Sequence, residues 1–218
     1  RGFGLGAPVF IRIFKQEAQL EVWLEDSERY RLYRSYPICR YSGQLGPKLR
    51  EGDHQAPEGV YFVRPGQMNP NSSYHLSFNL GFPNAYDRAM ARSGSYLMVH
   101  GDCLSAGCYA MASSPRLWAP DRNAPIEEIW TLMQAAFTAG QSTIQVQAFP
   151  FMMTEANLTR HAGSPWVDFW RMLAPAQQLF DETGRPPLVQ VLGGRYRFSD
   201  ATGARPGSEI KTVSTEDE

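Results

Sequence analysis

A histidine and a cysteine stand eight positions apart in segment 96–111, which reads YLMVHGDCLSAGCYAM. His100 ends a short apolar run, and Gly101 follows it where the backbone can turn sharply. A thiol becomes a nucleophile when a neighbouring base takes its proton. If the intervening residues form a compact loop, His100 can fold back onto Cys108. The spacing therefore raises the hypothesis of a cysteine nucleophile with a histidine base.

Backbone amides near the cysteine extend this hypothesis. Gly107 lets substrate and backbone approach closely, and the N–H groups around Cys108 would face a developing oxyanion. On spacing alone the competing interpretation, in which the histidine and the cysteine are ordinary core and loop residues, stays open. A metal site is disfavoured, because the pair Cys103 and Cys108 with one nearby histidine lacks a fourth ligand.

Length and composition bound the possible functions. The 218 residues are 43% hydrophobic and carry a net charge of −1, which suits one globular domain and argues against a broad surface for nucleic acid. No apolar run reaches the roughly 18 residues of a membrane-spanning helix. Three cysteines leave at least one thiol unpaired. The chain begins at Arg1 without a secretory pattern, so we expect that a targeting segment was removed or trimmed.

Hydrophobic periodicity predicts the elements that must position these residues. Alternating segments predict an antiparallel meander of three strands, and a long Gly- and Pro-rich loop of the kind that is often functional follows them. The pattern then predicts strands, a second loop and a short helix that Asn84 caps. In order, the predictions are strands at 8–14, 18–24 and 29–36, a loop at 42–59, a strand at 60–63, a loop at 65–73, a strand at 74–80, a helix at 84–92 and a strand at 96–99.

The second half mixes helices and strands. The predictions are a helix at 125–138, a strand at 142–148, a helix at 165–182 that Pro175 can kink or split, a hairpin at 188–198 and a disordered polar tail at 201–218. A strand-rich first half with a mixed second half indicates a mainly β or α+β domain with helical additions.

The motif around the cysteine resembles the active-site motif of the L,D-transpeptidase (YkuD) family. His100-Gly101 match its start, and Ser105, Gly107 and Cys108 match its end. Ala106 stands where most members have a second histidine, and the interval is short. Both departures are similar to the YafK-like branch, with its pattern HG-x-C-x-S-x-GCYAM. The flanking segments 37–39, 43–61 and 74–88 resemble that branch as well.

The resemblance implies a fold and a set of roles. The fold would be a β-sandwich catalytic domain over residues 1–200, with 150–198 as a branch-specific C-terminal part. No cofactor and no metal would be needed. The roles that the resemblance implies are Cys108 as nucleophile, His100 as base oriented by the Gly101 carbonyl, Gly107 and Tyr109 as oxyanion donors, and His75, Tyr74, Ser105 and Asp102 as substrate-binding residues.

The resemblance also implies a substrate class. The family acts on peptidoglycan stem peptides at meso-diaminopimelate, and the YafK-like branch includes an amidase that releases a covalently attached lipoprotein. Hydrolysis of such a bond in the periplasm is therefore the favoured interpretation, with a stem peptide and a lipoprotein or outer-membrane protein as partners. The alternatives are transpeptidation, which makes 3-3 crosslinks or attaches proteins, and a non-catalytic peptidoglycan-binding module. In an oxidising compartment Cys39 and Cys103 would pair, or Cys103 would pair reversibly with Cys108.

Overall fold

The computed structural model describes residues 3–116 and 118–202, together with the backbone of 211–212. Within these residues the chain forms two five-stranded sheets and a three-stranded sheet with four α-helices. The strands are β1 (Val9–Phe14), β2 (Gln19–Asp26), β3 (Arg29–Pro37), β4 (Arg40–Tyr41), β5 (Gly59–Val63), β6 (Met68–Ser72), β7 (His75–Asn79), β8 (Met98–His100), β9 (Tyr109–Ala110), β10 (Ile144–Phe149), β11 (Leu188–Leu192), β12 (Arg195–Ser199) and β13 (Lys211–Thr212). The helices are α1 (Ala85–Ala89), α2 (Ala124–Thr138), α3 (Glu155–Arg160) and α4 (Val167–Thr183), and a 3-10 turn covers Pro65–Gln67.

The first sheet has the strand order β3-β2-β1-β10-β5. Its first three strands form the expected antiparallel meander, which the register confirms. β10 comes from the second half of the chain and pairs parallel to β1 and antiparallel to β5. Every residue of β1 and β10 is buried, because other layers cover both faces of this sheet.

The second sheet has the order β4-β9-β8-β7-β6 and contains the histidine and cysteine motif. The expectation of a loop over residues 65–73 is wrong, since β6 pairs antiparallel with β7. β6 lies at the edge of this sheet, where the missing N–H of Pro70 is tolerated. The two-residue strands β4 and β9 are too short to show a periodicity in the sequence.

Helix α2 and the two larger sheets enclose the main core. Apolar residues of the helix, such as Ile129 and Met133, belong to the same buried cluster as Ile11 of the first sheet and Val99 of the second. Asn84 caps α1 as expected, accepting a hydrogen bond from the backbone of Asp87. Removing water from this shared apolar surface is the dominant force that holds the two sheets together.

The C-terminal part packs on the other face of the first sheet. There α4 and the hairpin of β11 and β12 share a second buried cluster with residues of β1, β5 and β10. Pro175 lies inside α4 without splitting it. The mixture of sheets and helices confirms the expected fold class. Most of the expected tail at 201–218 lies outside the described residues. No helix among the described residues is long and apolar enough to cross a membrane.

Candidate active site

Strands β8 and β9 lie side by side in parallel; β8 ends at His100, and β9 begins directly after Cys108. Val99 is opposite Tyr109, and His100 is opposite Ala110. Because side chains alternate along a strand, Cys108 and His100 point to the same face of the sheet. Strand spacing and rise place their Cα atoms about 8 Å apart. The register therefore allows the two side chains to meet over that face.

The connection between these two strands is unusually short. Parallel neighbours usually need a dozen or more linking residues, whereas 101–108 suffice here. Gly107 adopts a φ of 137°, which a side chain would disfavour. A disulfide between Cys39 and Cys103 fastens the loop to the chain beside β4, with their Cα atoms 5.5 Å apart. This confirms the expected pairing, and Cys108 is the free thiol.

The sulfur of Cys108 contacts the segment that leads into β8. The Met98 N–H donates to Sγ at 3.4 Å, and the thiol donates to the Tyr96 carbonyl at 3.8 Å. Burial raises the pKa of the Cys108 thiol, and the Met98 N–H and the Lys48 ammonium offset only part of that rise. The resting group is therefore a thiol, which needs a base before it can attack.

His100 is buried, with only 2% of its surface exposed. Its Nδ1 lies 2.5 Å from the Gly101 carbonyl oxygen. Because a carbonyl can only accept, Nδ1 carries the proton and Nε2 is the free base. Burial lowers the pKa of His100, although the Gly101 carbonyl and the Asp102 carboxylate counteract this. The Tyr74 ring lies over the imidazole with centroids 4.8 Å apart.

The corner after His100 has no room for a side chain. A Cβ at Gly101 would lie 2.8 Å from the Tyr74 carbonyl oxygen and 3.0 Å from both Asn123 Oδ1 and His75 Cβ. The Gly101 N–H donates to the Leu76 carbonyl at 3.0 Å, which fixes the corner to β7. A glycine is therefore required here by close approach rather than by its φ angle.

Asp102 is fastened to the start of α2. Its N–H donates to Asn123 Oδ1 at 2.8 Å, and its carboxylate accepts from Asn123 Nδ2 at 3.2 Å. The Arg122 guanidinium forms an ion pair with the same carboxylate. Asp102 has a φ of 56°, in a region that non-glycine residues seldom adopt. These contacts hold it there.

Comparison with known proteins decides the family. The chain is 47% identical over 195 residues to the Escherichia coli K12 protein named "Putative L,D-transpeptidase YafK", and the match covers 89% of this chain and 75% of that protein. The protein of the same name from Escherichia coli O157:H7 matches equally. This chain belongs to the YafK-like L,D-transpeptidase family. No protein-family model matches the sequence.

The fold of this YafK-like chain also occurs in solved structures. Pgp2 of Campylobacter jejuni, described as a helical cell shape determining protein, superposes with a TM-score of 0.50 at 18% identity and 82% coverage of this chain. A point variant of Pgp2 gives a TM-score of 0.51 with 84% coverage. The chain spans 60% of the length of each Pgp2 structure. The shared fold is the YkuD-type domain that the sequence motif predicts.

In the YafK-like chain the long loop 42–58 forms one wall of the site. The Ser42 and Ser105 hydroxyls lie 2.7 Å apart. Ser105 Oγ also accepts the Cys108 N–H at 3.0 Å and donates to the Cys108 carbonyl at 2.7 Å. Because Ser105 has a single hydroxyl proton, Ser42 must be the donor between the two. The Ser105 hydroxyl is therefore fully used by its hydrogen bonds to Ser42 of loop 42–58 and to the backbone of Cys108.

A buried ion pair supports the same loop from behind. Lys15 is fully buried and donates to Glu58 Oε1 at 3.0 Å and to the carbonyls of Gln44 and Gly46. Trp170 of α4 donates to the other oxygen of Glu58 at 2.8 Å. The C-terminal part therefore packs behind the cleft and helps to shape its wall.

The backbone amides near the sulfur are not equivalent. The Cys108 N–H is taken by Ser105, as described above. The Met111 N–H donates to the His100 carbonyl, and alternation along β9 directs the Tyr109 N–H toward β8 in the same way. The Tyr109 ring is buried, with its hydroxyl on the Pro57 carbonyl. Among the described residues, the Gly107 N–H has no hydrogen-bond partner.

Two expected substrate-binding residues, Tyr74 and His75, lie at the start of β7, next to Gly101. Tyr74 is 43% exposed beside His100. His75 is exposed, has a φ of 70°, and its Nε2 lies 2.7 Å from Glu127 Oε1 of α2. Tyr74 therefore borders His100 and His75 lies beside Gly101, and both side chains remain accessible.

The remaining histidines and three tryptophans have other surroundings. His54 is exposed in loop 42–58, and His161 stacks on Phe151. Trp170 is a core residue, and Trp130 and Trp166 are half-buried. Within the described part of the chain, no cluster of three or more His, Cys, Asp or Glu side chains could hold a metal ion.

Four residues of the site were missed by sequence reasoning, namely Ser42, Lys48, Arg122 and Asn123. They reach the motif across 20 or more positions, so no local spacing indicates them. Asn123 precedes the helical Ala-Pro start of α2, and that pattern is typical of an ordinary helix cap.

Proposed function

We propose that this protein is a periplasmic cysteine amidase that hydrolyses the bond between peptidoglycan diaminopimelate and a covalently attached protein. The observation that carries the proposal is the strand register, which brings Cys108, the free thiol, to the same face as His100, whose Nδ1 is held by the Gly101 carbonyl. Membership of the YafK-like L,D-transpeptidase family supports the substrate class.

The first step is activation of the thiol. His100 Nε2 takes the Cys108 proton as the sulfur attacks the carbonyl carbon of the L centre of diaminopimelate. The raised pKa of Cys108 and the lowered pKa of His100 both favour the neutral pair at rest. Proton transfer therefore accompanies attack, and the Met98 N–H and the Lys48 ammonium stabilise the negative charge as it develops on sulfur.

The second step is collapse of the tetrahedral intermediate. The Gly107 N–H is the oxyanion donor that we favour. The Cys108 N–H is bonded to Ser105, and the Tyr109 N–H is directed toward β8. The protonated His100 then gives its proton to the leaving amine, and the C–N bond breaks. A thioester with Cys108 remains.

The third step decides the reaction class. Water attacks the thioester while His100 Nε2 takes its proton, which releases a carboxylic acid and restores the thiol. Exposed residues next to the sulfur support hydrolysis: Tyr96, whose carbonyl contacts the Cys108 thiol, is 77% exposed, and Leu104 in the 101–108 connection is 56% exposed. The absence of a second histidine at Ala106 also separates this chain from most crosslinking members.

Transpeptidation is the second candidate, favoured by the name of the 47% identical relative. In that reaction an amine attacks the same thioester and forms a crosslink or attaches a protein. The steps up to the thioester are identical, so the two reactions differ only in the acceptor.

The disulfide supports the proposed compartment. Structural disulfides form and persist in oxidising environments such as the periplasm. The proposed partners are the stem peptide and the lipoprotein or outer-membrane protein attached to it. None of the three proposed steps requires a cofactor.

The test uses sacculi that carry covalently bound lipoprotein. After incubation with the protein, released lipoprotein and muropeptides are separated and identified by mass spectrometry. We expect free lipoprotein and new unmodified stem-peptide ends. New 3-3 dimers without release would replace the amidase with the transpeptidase.

Two variants sharpen this test. Cys108→Ala removes the nucleophile and should abolish either reaction, whereas Cys108→Ser retains a hydroxyl and should leave at most a trace. If Cys108→Ala is as active as the unchanged protein, the thiol mechanism is wrong. Binding to sacculi with no covalent change, in both the unchanged protein and the variant, would indicate a binding module.

A further inference from the structure

We propose that Asn123 is a positioning residue for His100 and acts on it through one peptide group. This inference rests on the proposed role of His100 as the base. The Gly101–Asp102 peptide offers its carbonyl to His100 Nδ1 at 2.5 Å and its N–H to Asn123 Oδ1 at 2.8 Å. The two hydrogen bonds thus share a single planar unit.

Such an arrangement couples the two side chains. Hydrogen bonds in a chain polarise one another, so an acceptor on the N–H side makes the carbonyl on the other side a stronger acceptor. The chain here runs from Asn123 through the peptide to the imidazole of His100. A stronger carbonyl holds the Nδ1 tautomer and stabilises the imidazolium that forms during attack.

The neighbouring contacts fix the orientation of the Asn123 amide. Its Nδ2 donates to the Asp102 carboxylate at 3.2 Å, and a flipped amide would set its oxygen against that carboxylate. Arg122 pairs with the same carboxylate and holds it in place. The amide oxygen is therefore directed to the Asp102 N–H.

Asn123 gives up its usual local role to make these contacts. It occupies the N-cap of α2, where an asparagine side chain commonly accepts from a backbone N–H in the first turn of its own helix. No such capping bond forms here. The side chain crosses instead to the corner after His100, where its oxygen would lie 3.0 Å from a Cβ at Gly101.

The groups that face the imidazole are few. Tyr74 lies against its ring, the Gly101 carbonyl contacts Nδ1, and the Asp102 carboxylate acts on it electrostatically. Asn123 hydrogen-bonds Asp102, and among the described residues its side chain forms no hydrogen bond with His100. Its effect on the base is consequently indirect.

The experiment compares Asn123→Ala with Asn157→Ala. Asn157 is a matched control, because its side-chain amide also hydrogen-bonds a loop residue in a different part of the fold, with Nδ2 donating to the Met152 carbonyl at 2.8 Å. For Asn123→Ala we expect kcat to fall by about a hundredfold with little change in KM, as for a misplaced catalytic group. Asn157→Ala should lower thermal stability and leave kcat unchanged.

A second pair of variants tests the hydrogen bonds themselves. Asn123→Asp alone sets two carboxylates against each other and should lose activity. Adding Asp102→Asn restores a carboxylate and amide pair in the reverse order, keeps the acceptor for the residue 102 N–H, and should recover part of kcat. A purely steric role for Asn123 gives no such recovery.

A readout without substrate separates this inference from the proposed function. NMR titration of the His100 imidazole should show its pKa moving down in Asn123→Ala and staying unchanged in Asn157→Ala. If sacculi are not cleaved but the titration shifts, the proposed function fails and the coupling stands. An unchanged titration with unchanged kcat in folded Asn123→Ala overturns the inference.

Discussion

Cys39 and Cys103 form a disulfide across 64 positions of sequence, and Cys103 lies between His100 and Cys108 in the chain. The bond therefore fastens the 101–108 connection to the chain beside β4. It also removes two thiols that would otherwise compete with Cys108 for oxidation or modification.

Removal of this disulfide should weaken the fold and the site together. Cys39→Ser with Cys103→Ser should lower the free energy of unfolding by about 2–4 kcal/mol, because the unfolded chain regains the entropy of the closed loop. Urea denaturation measures this loss. A reductant should destabilise the unchanged protein by a similar amount and leave the double variant unaffected. Equal stability in all these samples would contradict a structural role for the bond.

The reactivity of the thiol should depend on pH in a defined direction. Burial raises the pKa of Cys108, so the thiolate fraction at neutral pH is smaller than for an exposed cysteine. Alkylation by iodoacetamide should keep increasing with pH beyond the range in which an ordinary thiol has levelled off. Cys108→Ala shows which part of the labelling belongs to this site.

The pH dependence of turnover should shift toward acid, the opposite direction to that of thiol alkylation. Burial lowers the pKa of His100, so the base stays unprotonated further into acid than a free imidazole does. The acidic limb of kcat/KM should therefore fall below the usual range for histidine. His100→Gln should abolish activity at every pH. If kcat/KM already declines at or above the ordinary histidine pKa, the resting pair of a neutral Cys108 thiol and a neutral His100 imidazole is contradicted.

Gly101→Ala should damage the site through overpacking. The added Cβ would lie within 3.0 Å of backbone and side-chain atoms of three residues, and we expect a loss of about 1–3 kcal/mol in unfolding free energy. Activity should fall further than stability, because the carbonyl of the same residue holds His100. Gly163→Ala is the matched control, since nothing lies within 4 Å of its added Cβ. If Gly101→Ala matches Gly163→Ala in stability and activity, position 101 tolerates a side chain.

The buried pair of Lys15 and Glu58 should be costly to break. Lys15→Met leaves the Glu58 carboxylate buried without its cation, and such losses cost about 3–5 kcal/mol. Arg31→Met is a control, because its ion pair with Asp26 is largely exposed and should contribute little. Thermal or urea unfolding compares the two. Near-equal stabilities would mean that the wall of the cleft does not depend on this pair.

Sequence patterns predict the regular parts of this fold well. The meander, the Asn84 cap and the hairpin around Gly193-Gly194 each arise from local periodicity or turn chemistry, and the register and capping contacts confirm them. The strand β6 went unpredicted. β6 reads as a turn-rich segment, MNPNS, and becomes a strand only because β7 offers it an edge to pair with.

The site likewise contains residues that a local pattern indicates and residues that only the folded chain brings together. His100 and Cys108 are close in sequence, so their spacing alone raises the hypothesis of a pair. Ser42 meets Ser105 across 63 positions, and Asn123 meets Asp102 across 21. Contacts of that kind depend on how the sheets and α2 pack, and no local pattern in one sequence specifies them.

The short connection between β8 and β9 has a consequence for partial unfolding. His100 and Cys108 are joined by a small loop whose closure costs little entropy, and the disulfide fastens it further. Loop 42–58 and the start of α2 reach the pair only through distant parts of the chain. A local opening of the molecule therefore detaches the surroundings of the pair before it separates the pair itself, and amide exchange should be faster in the wall than at His100.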